Sequence, residues 1–258
     1  MLPRLVLGFA FALGTLSASA QTPGETGAPN LNRVVLEQVR RMPQGGSYST
    51  HPIATIRLQS AAHFESGKFF VLPTSASPSY CSGATYLVFL KAIEELRSTG
   101  ELTLDYDTLD ALMIRAGQKD GAGVWGRWNA NGPGTGRLFY ELGLGRNFDD
   151  FGKALPGDFM KIFWNEEVGK LEHGHSVIFL GTEKRDGVEH VRFWSSNTPG
   201  GYGEKSVPRS KITQAIFSRL ETPANLDRIK KAPNVDSWLA GLLNTRSSFE
   251  AAKKKCGM

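Results

Sequence analysis

The sequence predicts an α+β domain, with helices gathered in the first half and an antiparallel meander in the second. Three features carry that prediction: helix-spaced apolar residues after Cys81, a switch to β-prone runs after Pro156, and a glycine-bounded turn joining two of those runs. A chain of 258 residues without internal repeats suits one domain with a sizeable core.

The chain opens with Arg4, an apolar run from Leu5 to Leu16 and the small residues Ala18-Ser19-Ala20, the order of a secretory signal peptide cleaved after Ala20. Residues 1–20 are thus expected to direct export to a periplasm or beyond, and the apolar run is too short for a membrane span. No later segment predicts stable membrane insertion. Residues 21–29 read as a flexible leader, 30–245 as the single domain, and 246–258 as a disordered basic tail ending near Cys256.

Within the domain, Leu31 to Met42 predicts a short amphipathic helix capped by Asn30. Ile53 to Leu58 and Phe69 to Leu72 read as short strands separated by polar residues and Gly67. A helix is expected from Cys81 to about Gly100, followed by a second over Tyr106 to Arg115. Gly117 to Gly136 carries five glycines besides its two ends in view of Trp125 and Trp128, and reads either as a loop over a cleft or as a plug for the core. Phe159 to Trp164, Ser176 to Leu180 and Val188 to Trp194 read as strands, with Gly181 to Gly187 as the turn joining the last two. Pro208 to Leu220 reads as a strand edge or short helix, and Pro233 to Leu243 as a terminal helix.

Without residues 1–20 the chain holds 29 basic and 25 acidic side chains, spread too evenly for a nucleic-acid-binding stripe. No nucleic-acid partner is expected. The two cysteines allow one intramolecular disulfide, but a permanent bond to Cys256 would silence Cys81, so Cys81 is expected to be free.

Cys81 opens a helix, where unsatisfied backbone N–H groups favour negative charge and so a reactive thiolate. Of the five histidines, His175 is best placed as its base, at the head of the strand Ser176 to Leu180. His173 and His175 also share a strand face, but no convincing third ligand accompanies them, so neither a metal nor another cofactor is expected. Asn197, at the end of the next strand, is the first choice to orient the imidazole, with Ser195 and Ser196 as substitutes. Trp125, Trp128 and Trp194 are candidate cleft walls.

Cys81-Ser82-Gly83, Pro156-Gly157-Asp158-Phe159 and Gly174-His175-Ser176-Val177 together, in that order, resemble the signatures of NlpC-type cell-wall peptidases and their CHAP amidase relatives, over residues 75–200. The resemblance implies a papain-like core, with the nucleophile helix packed on an antiparallel sheet and helical embellishments at both ends. It implies that Cys81 attacks an amide carbonyl, that His175 is base and then acid, and that the substrate is a peptidoglycan stem peptide or muropeptide. Where the family often has an acid before the cysteine, Tyr80 stands here, and its hydroxyl is a candidate for shaping the oxyanion pocket beside the backbone N–H of Cys81 or Ser82. The 73 residues between Gly83 and Gly157 are long for that core and predict an inserted specificity cap. Two rival functions use the same scaffold: thiol acyl transfer between lipid and amine, which predicts an apolar groove, and a non-catalytic binding protein, which predicts an ordinary Cys81 thiol.

Overall fold

The computed structural model describes residues 31–258 apart from 66, 67 and 116. The expected signal peptide, leader, Asn30 cap and Gly67 therefore lie outside the described residues. Eight α-helices and ten strands are found among the described residues. The first half contains α1 (Asn32–Arg41), α2 (Pro52–Ser60), β1 (Ala62–Glu65), β2 (Lys68–Val71), α3 (Cys81–Ser98), α4 (Tyr106–Ala111), α5 (Gly123–Asn129) and α6 (Gly134–Leu142). It is followed by β3 (Gly145–Phe148), β4 (Phe159–Phe163), β5 (Val168–Gly169), β6 (Gly174–Arg185), β7 (Val188–Asn197), β8 (Gly201–Pro208), β9 (Gln214–Leu220), α7 (Ser237–Leu242), β10 (Arg246–Ser247) and α8 (Phe249–Lys255).

The main sheet has six antiparallel strands in the order β3-β9-β4-β6-β7-β8. Helix α3 lies against β6 and β7, while α6 covers β3, β9 and β4. Phe159, Ile178, Trp194 and Leu220 project into the helical core; Met160, Val177, Phe193 and Phe217 form a second apolar layer on the opposite face. This alternation is what a sheet covered on both faces requires. Two two-stranded antiparallel sheets, β1–β2 and the short β5–β10 pair, stand apart from the main sheet.

Helix α3 is buried through most of its length from Ser82 to Leu96, because α1, α5, β2 and the sheet enclose it. It is therefore the axis of the core. Gly83 lets α2 approach it, since a Cβ there would meet Leu58 Cδ2 at 2.8 Å. That contact also explains a correction: Ile53 to Leu58 is helix, not strand. Pro52 starts α2, where its missing N–H costs nothing, and Ala54 and Leu58, one turn apart, bury a single face.

The glycine-rich segment divides: Asp120, Ala130 and Asn131, outside its helices, line a cleft, while its tryptophans plug the core. It forms α5 and opens α6, and its glycines allow backbones to touch: a Cβ on Gly126 would collide with the Lys119 carbonyl. Trp125 and Trp128 are each 1% exposed, and Trp128 packs 4.9 Å from Phe89 and 5.2 Å from Phe159 between ring centroids. Arg127 between them is fully buried. Its Nε and one terminal nitrogen grip Glu141 at 2.7 and 3.1 Å, and its remaining N–H groups reach the carbonyls of Gly121, Gly123 and Pro233. The guanidinium fork is thereby satisfied, as a buried charge must be.

Smaller corrections concern boundaries. Helix α4 stops at Ala111, short of Arg115. Strand β6 runs on to Arg185, so the turn shrinks to Asp186-Gly187, whose φ values of 49° and 77° suit a two-residue hairpin. Pro208 to Leu220 contributes β9, which is an interior strand between β3 and β4 rather than an edge.

The expected basic tail is docked structure. Ser248 caps α8, Asn147 donates hydrogen bonds to the carbonyls of Gly136 and Cys256 at 2.8 Å each, and Lys253 pairs with Asp149. The domain thus extends to the last described residue. Among the described residues no helix is long and apolar enough to cross a membrane.

Candidate active site

Asp158, in the Pro156-Gly157-Asp158-Phe159 turn, is buried and accepts hydrogen bonds from Asn32 and Arg219 at 2.8 Å each. Gly157 there has a φ of 97°, and a Cβ would lie 2.7 Å from the Asn32 carbonyl oxygen. The turn is a clamp between α1, β4 and β9, and it sets where β4 enters the sheet. Its motif is structural.

Cys81 is the first residue of α3, partly exposed, and free, as is Cys256. The imidazole of His175 is the neighbour that does most to lower its thiol. His175 is the second residue of β6; its ring lies 6.4 Å from that of Trp164, stacked, and 5.7 Å from Phe193, edge-on. Asn197, the last residue of β7, accepts from His175 Nε2 at 3.1 Å. The Asn197 amide cannot turn over, because its Nδ2 donates to the carbonyls of Ser195 and Gly203 at 3.1 and 2.9 Å. Its oxygen must face the imidazole, so Nε2 carries the ring hydrogen and Nδ1 is left for the thiol. Ser195 and Ser196 are engaged elsewhere, with the Ser176 carbonyl at 2.7 Å and with the Ser79 hydroxyl at 2.8 Å. Of the three candidate orienting residues, only Asn197 reaches His175.

Burial would raise the Cys81 thiol, but the hydrogen bond and charge of His175, the Ser176 N–H and the Lys161 ammonium outweigh it and hold the group at about 6. The thiolate is therefore the populated form at neutral pH.

A cleft of about 400 Å³ opens beside the sulfur, lined by Tyr48, Tyr80, Asp120, Asn129, Lys161 and Glu172 among others. A second cleft of about 290 Å³ opens on the His175 side, with Trp164, Thr198 and Lys205 in its wall. Tyr48 and Gly174 border both.

The remaining expected site residues divide. Tyr80 lines the first cleft, but its hydroxyl is paired with Thr55 Oγ1 at 3.0 Å, and burial pushes the phenol up to about 12. Ser82 donates to Asn129 Oδ1 at 2.6 Å, linking the helix start to α5. Trp128 is no cleft wall: its indole N–H reaches the Ser82 carbonyl at 3.2 Å and Thr85 Oγ1 at 3.3 Å, bracing the first turn of α3 from beneath. Trp125 is core as well, and Trp194 is buried and stacked on Tyr202 at 5.8 Å. His173 is exposed, and among the described residues no group of three His, Cys, Asp or Glu side chains is arranged to hold a metal.

The structure adds Tyr48, which lines the same cleft as Cys81; burial and the neighbouring thiolate both push its phenol up. It arrives on a strap between α1 and α2. Gly45 exchanges backbone hydrogen bonds with Tyr202 at 2.8 and 2.9 Å, and Ser47 and Ser49 bond Ser79 at 3.0 and 2.9 Å. Lys161 and Asp120 are further additions. No local pattern marks any of the three, because each reaches the sulfur or its cleft through long-range packing. No protein-family model, no curated protein and no solved structure matches this chain.

Proposed function

We propose that the protein is an exported cysteine hydrolase of papain-like architecture that cleaves an amide or peptide bond, with peptidoglycan stem peptides as its substrate class. The observation that carries this reading is the line Cys81–His175–Asn197: a thiol held at about 6 at a helix start, an imidazole against it, and a locked amide fixing the tautomer. The substrate class is supported by the resemblance of the three sequence signatures to NlpC-type peptidases and by the export signal read in residues 1–20.

In this mechanism the Cys81 thiolate attacks the carbonyl carbon, and the imidazolium of His175 passes its proton to the leaving nitrogen. Neutral His175 then takes a proton from water, whose oxygen attacks the thioester and releases the acid, returning the thiolate. The Tyr48 hydroxyl, in the same cleft as the sulfur, and the uncapped N–H groups at the start of α3 are the donors for the oxyanion. Charged and amide side chains around the cleft suit a peptide better than a fatty acyl chain, which disfavours lipid acyl transfer. The lowered thiol disfavours a purely binding role.

The test is iodoacetamide labelling against pH, mapped by peptide, alongside hydrolysis of muropeptides by the wild type and Cys81→Ala. Rapid Cys81 labelling below pH 7 with Cys81-dependent hydrolysis is expected. Labelling that rises only near ~8.5, the ordinary thiol value, together with no cleavage, would overturn the assignment.

A further inference from the structure

The segment inserted between α3 and the sheet delivers Asp120, Asn129 and Asn131 to the Cys81 cleft, while its tryptophans turn into the core. The charges around that cleft do not balance. Lys161 Nζ pairs with Glu172 Oε1 at 2.7 Å, and Glu172 Oε2 accepts the N–H groups of Gly132 and Gly169 at 2.6 and 2.7 Å. That carboxylate is matched in charge and well supplied with donors.

Asp120 is different. It accepts one long hydrogen bond, from the Asn131 N–H to Oδ2 at 3.3 Å, and among the described residues no lysine or arginine bridges it. Burial and the nearby Glu172 push its carboxyl up, with Lys161 opposing. Its loop is anchored by Arg127, which holds the Gly121 carbonyl at 3.1 Å. The loop thus presents a carboxylate without an ion pair of its own, on a braced support beside the nucleophile.

The side of the scissile bond that meets it follows from the chemistry. His175 must protonate the leaving nitrogen, so the leaving group lies toward Trp164 and Thr198, and the acyl portion occupies the cleft with Asp120. We propose that Asp120 is the counter-charge for a primary ammonium on the acyl side of the substrate, supplied by an α-amine or by a side-chain amine. This subsite rests on the hydrolase reading for its role but not for its binding.

The test measures binding to the Cys81→Ala protein by calorimetry, with and without Asp120→Asn. The probes are alanyl-alaninamide, its N-acetyl form and Nα-acetyl-lysinamide. At least one ammonium probe is expected to bind about tenfold more tightly than the neutral one, as a charge-assisted contact allows, and Asp120→Asn to erase that preference. The tighter of the two ammonium probes identifies the source. Equal affinity for all three probes, or a preference that survives Asp120→Asn, overturns the subsite. Cleavage by the wild type of N-acetylated and free-amine muropeptides separates the two ideas. Equal, Cys81-dependent hydrolysis of both sinks the subsite alone, whereas Asp120-dependent ammonium binding without any hydrolysis sinks the hydrolase reading alone.

Discussion

The two cysteines sit at opposite ends of helices and differ accordingly. Cys81 starts α3, meets an imidazole, an N–H and a lysine, and is held at about 6. Cys256 follows the last turn of α8, is 1% exposed, lies among Phe163, Ile216 and Ala252, and is pushed up to about 12 by burial. One thiol is surrounded by groups that stabilise an anion and the other by groups that exclude one. Reactivity here belongs to the neighbourhood, not to the residue type.

The sharpest way to test that contrast is to remove each sulfur in turn. Cys81→Ala should abolish hydrolysis, by about four orders of magnitude or more, as loss of a nucleophile does. Cys256→Ala should leave hydrolysis unchanged and cost about 1 kcal/mol in urea unfolding, the scale of a small buried deletion. Equal activity loss in both variants would erase the distinction.

Next in size is His175→Ala. Hydrolysis should fall by about 10²–10⁴-fold with loss of the general base. The labelling midpoint of Cys81 should climb from about 6, because burial then raises the thiol without its main opposing partner. The wild type should therefore label fast and His175→Ala slowly between that midpoint and neutral pH, while Cys256 stays unlabelled in both until the protein unfolds.

Tyr48→Phe probes the hydroxyl that shares the cleft with the sulfur. A fall of about 10²-fold in kcat with little change in KM would mark a donor used in the transition state. A rise in KM alone would instead make Tyr48 a binding wall. The smallest effect belongs to Lys161→Met, which should raise the Cys81 labelling midpoint by less than His175→Ala does, since Lys161 acts on the thiolate by charge alone. An unchanged midpoint would remove Lys161 from the account of Cys81 reactivity.

Sequence reading works best in this chain where the signal is local. The start of α3, the β6–β7 hairpin and the placing of Cys81, His175 and Asn197 follow from periodicity, turn residues and strand ends. It fails where distant packing decides. Ile53 to Leu58 carries β-branched residues yet folds as helix, because Pro52 starts it and Gly83 makes room for Leu58. The tryptophan-glycine segment resembles a costly loop because composition alone does not reveal the ring cluster around Trp128 or the buried Arg127–Glu141 pair. Lys253, Lys254 and Lys255 suggest a frayed tail, although Ala252 and Cys256 on the same helix are buried against Ile216. Tyr48 lies 33 positions before the thiol whose cleft it lines, with no spacing rule to link them.

The lock on Asn197 has a consequence for how this protein could lose function. Two backbone carbonyls, one from β7 and one from β8, decide which face of the amide meets the imidazole. Under the proposed mechanism, the outermost hairpin of the sheet would work as a one-way valve for the proton, selecting the ring nitrogen that faces the sulfur. A slip of β8 along β7 would jam that valve while Cys81 and His175 kept their places.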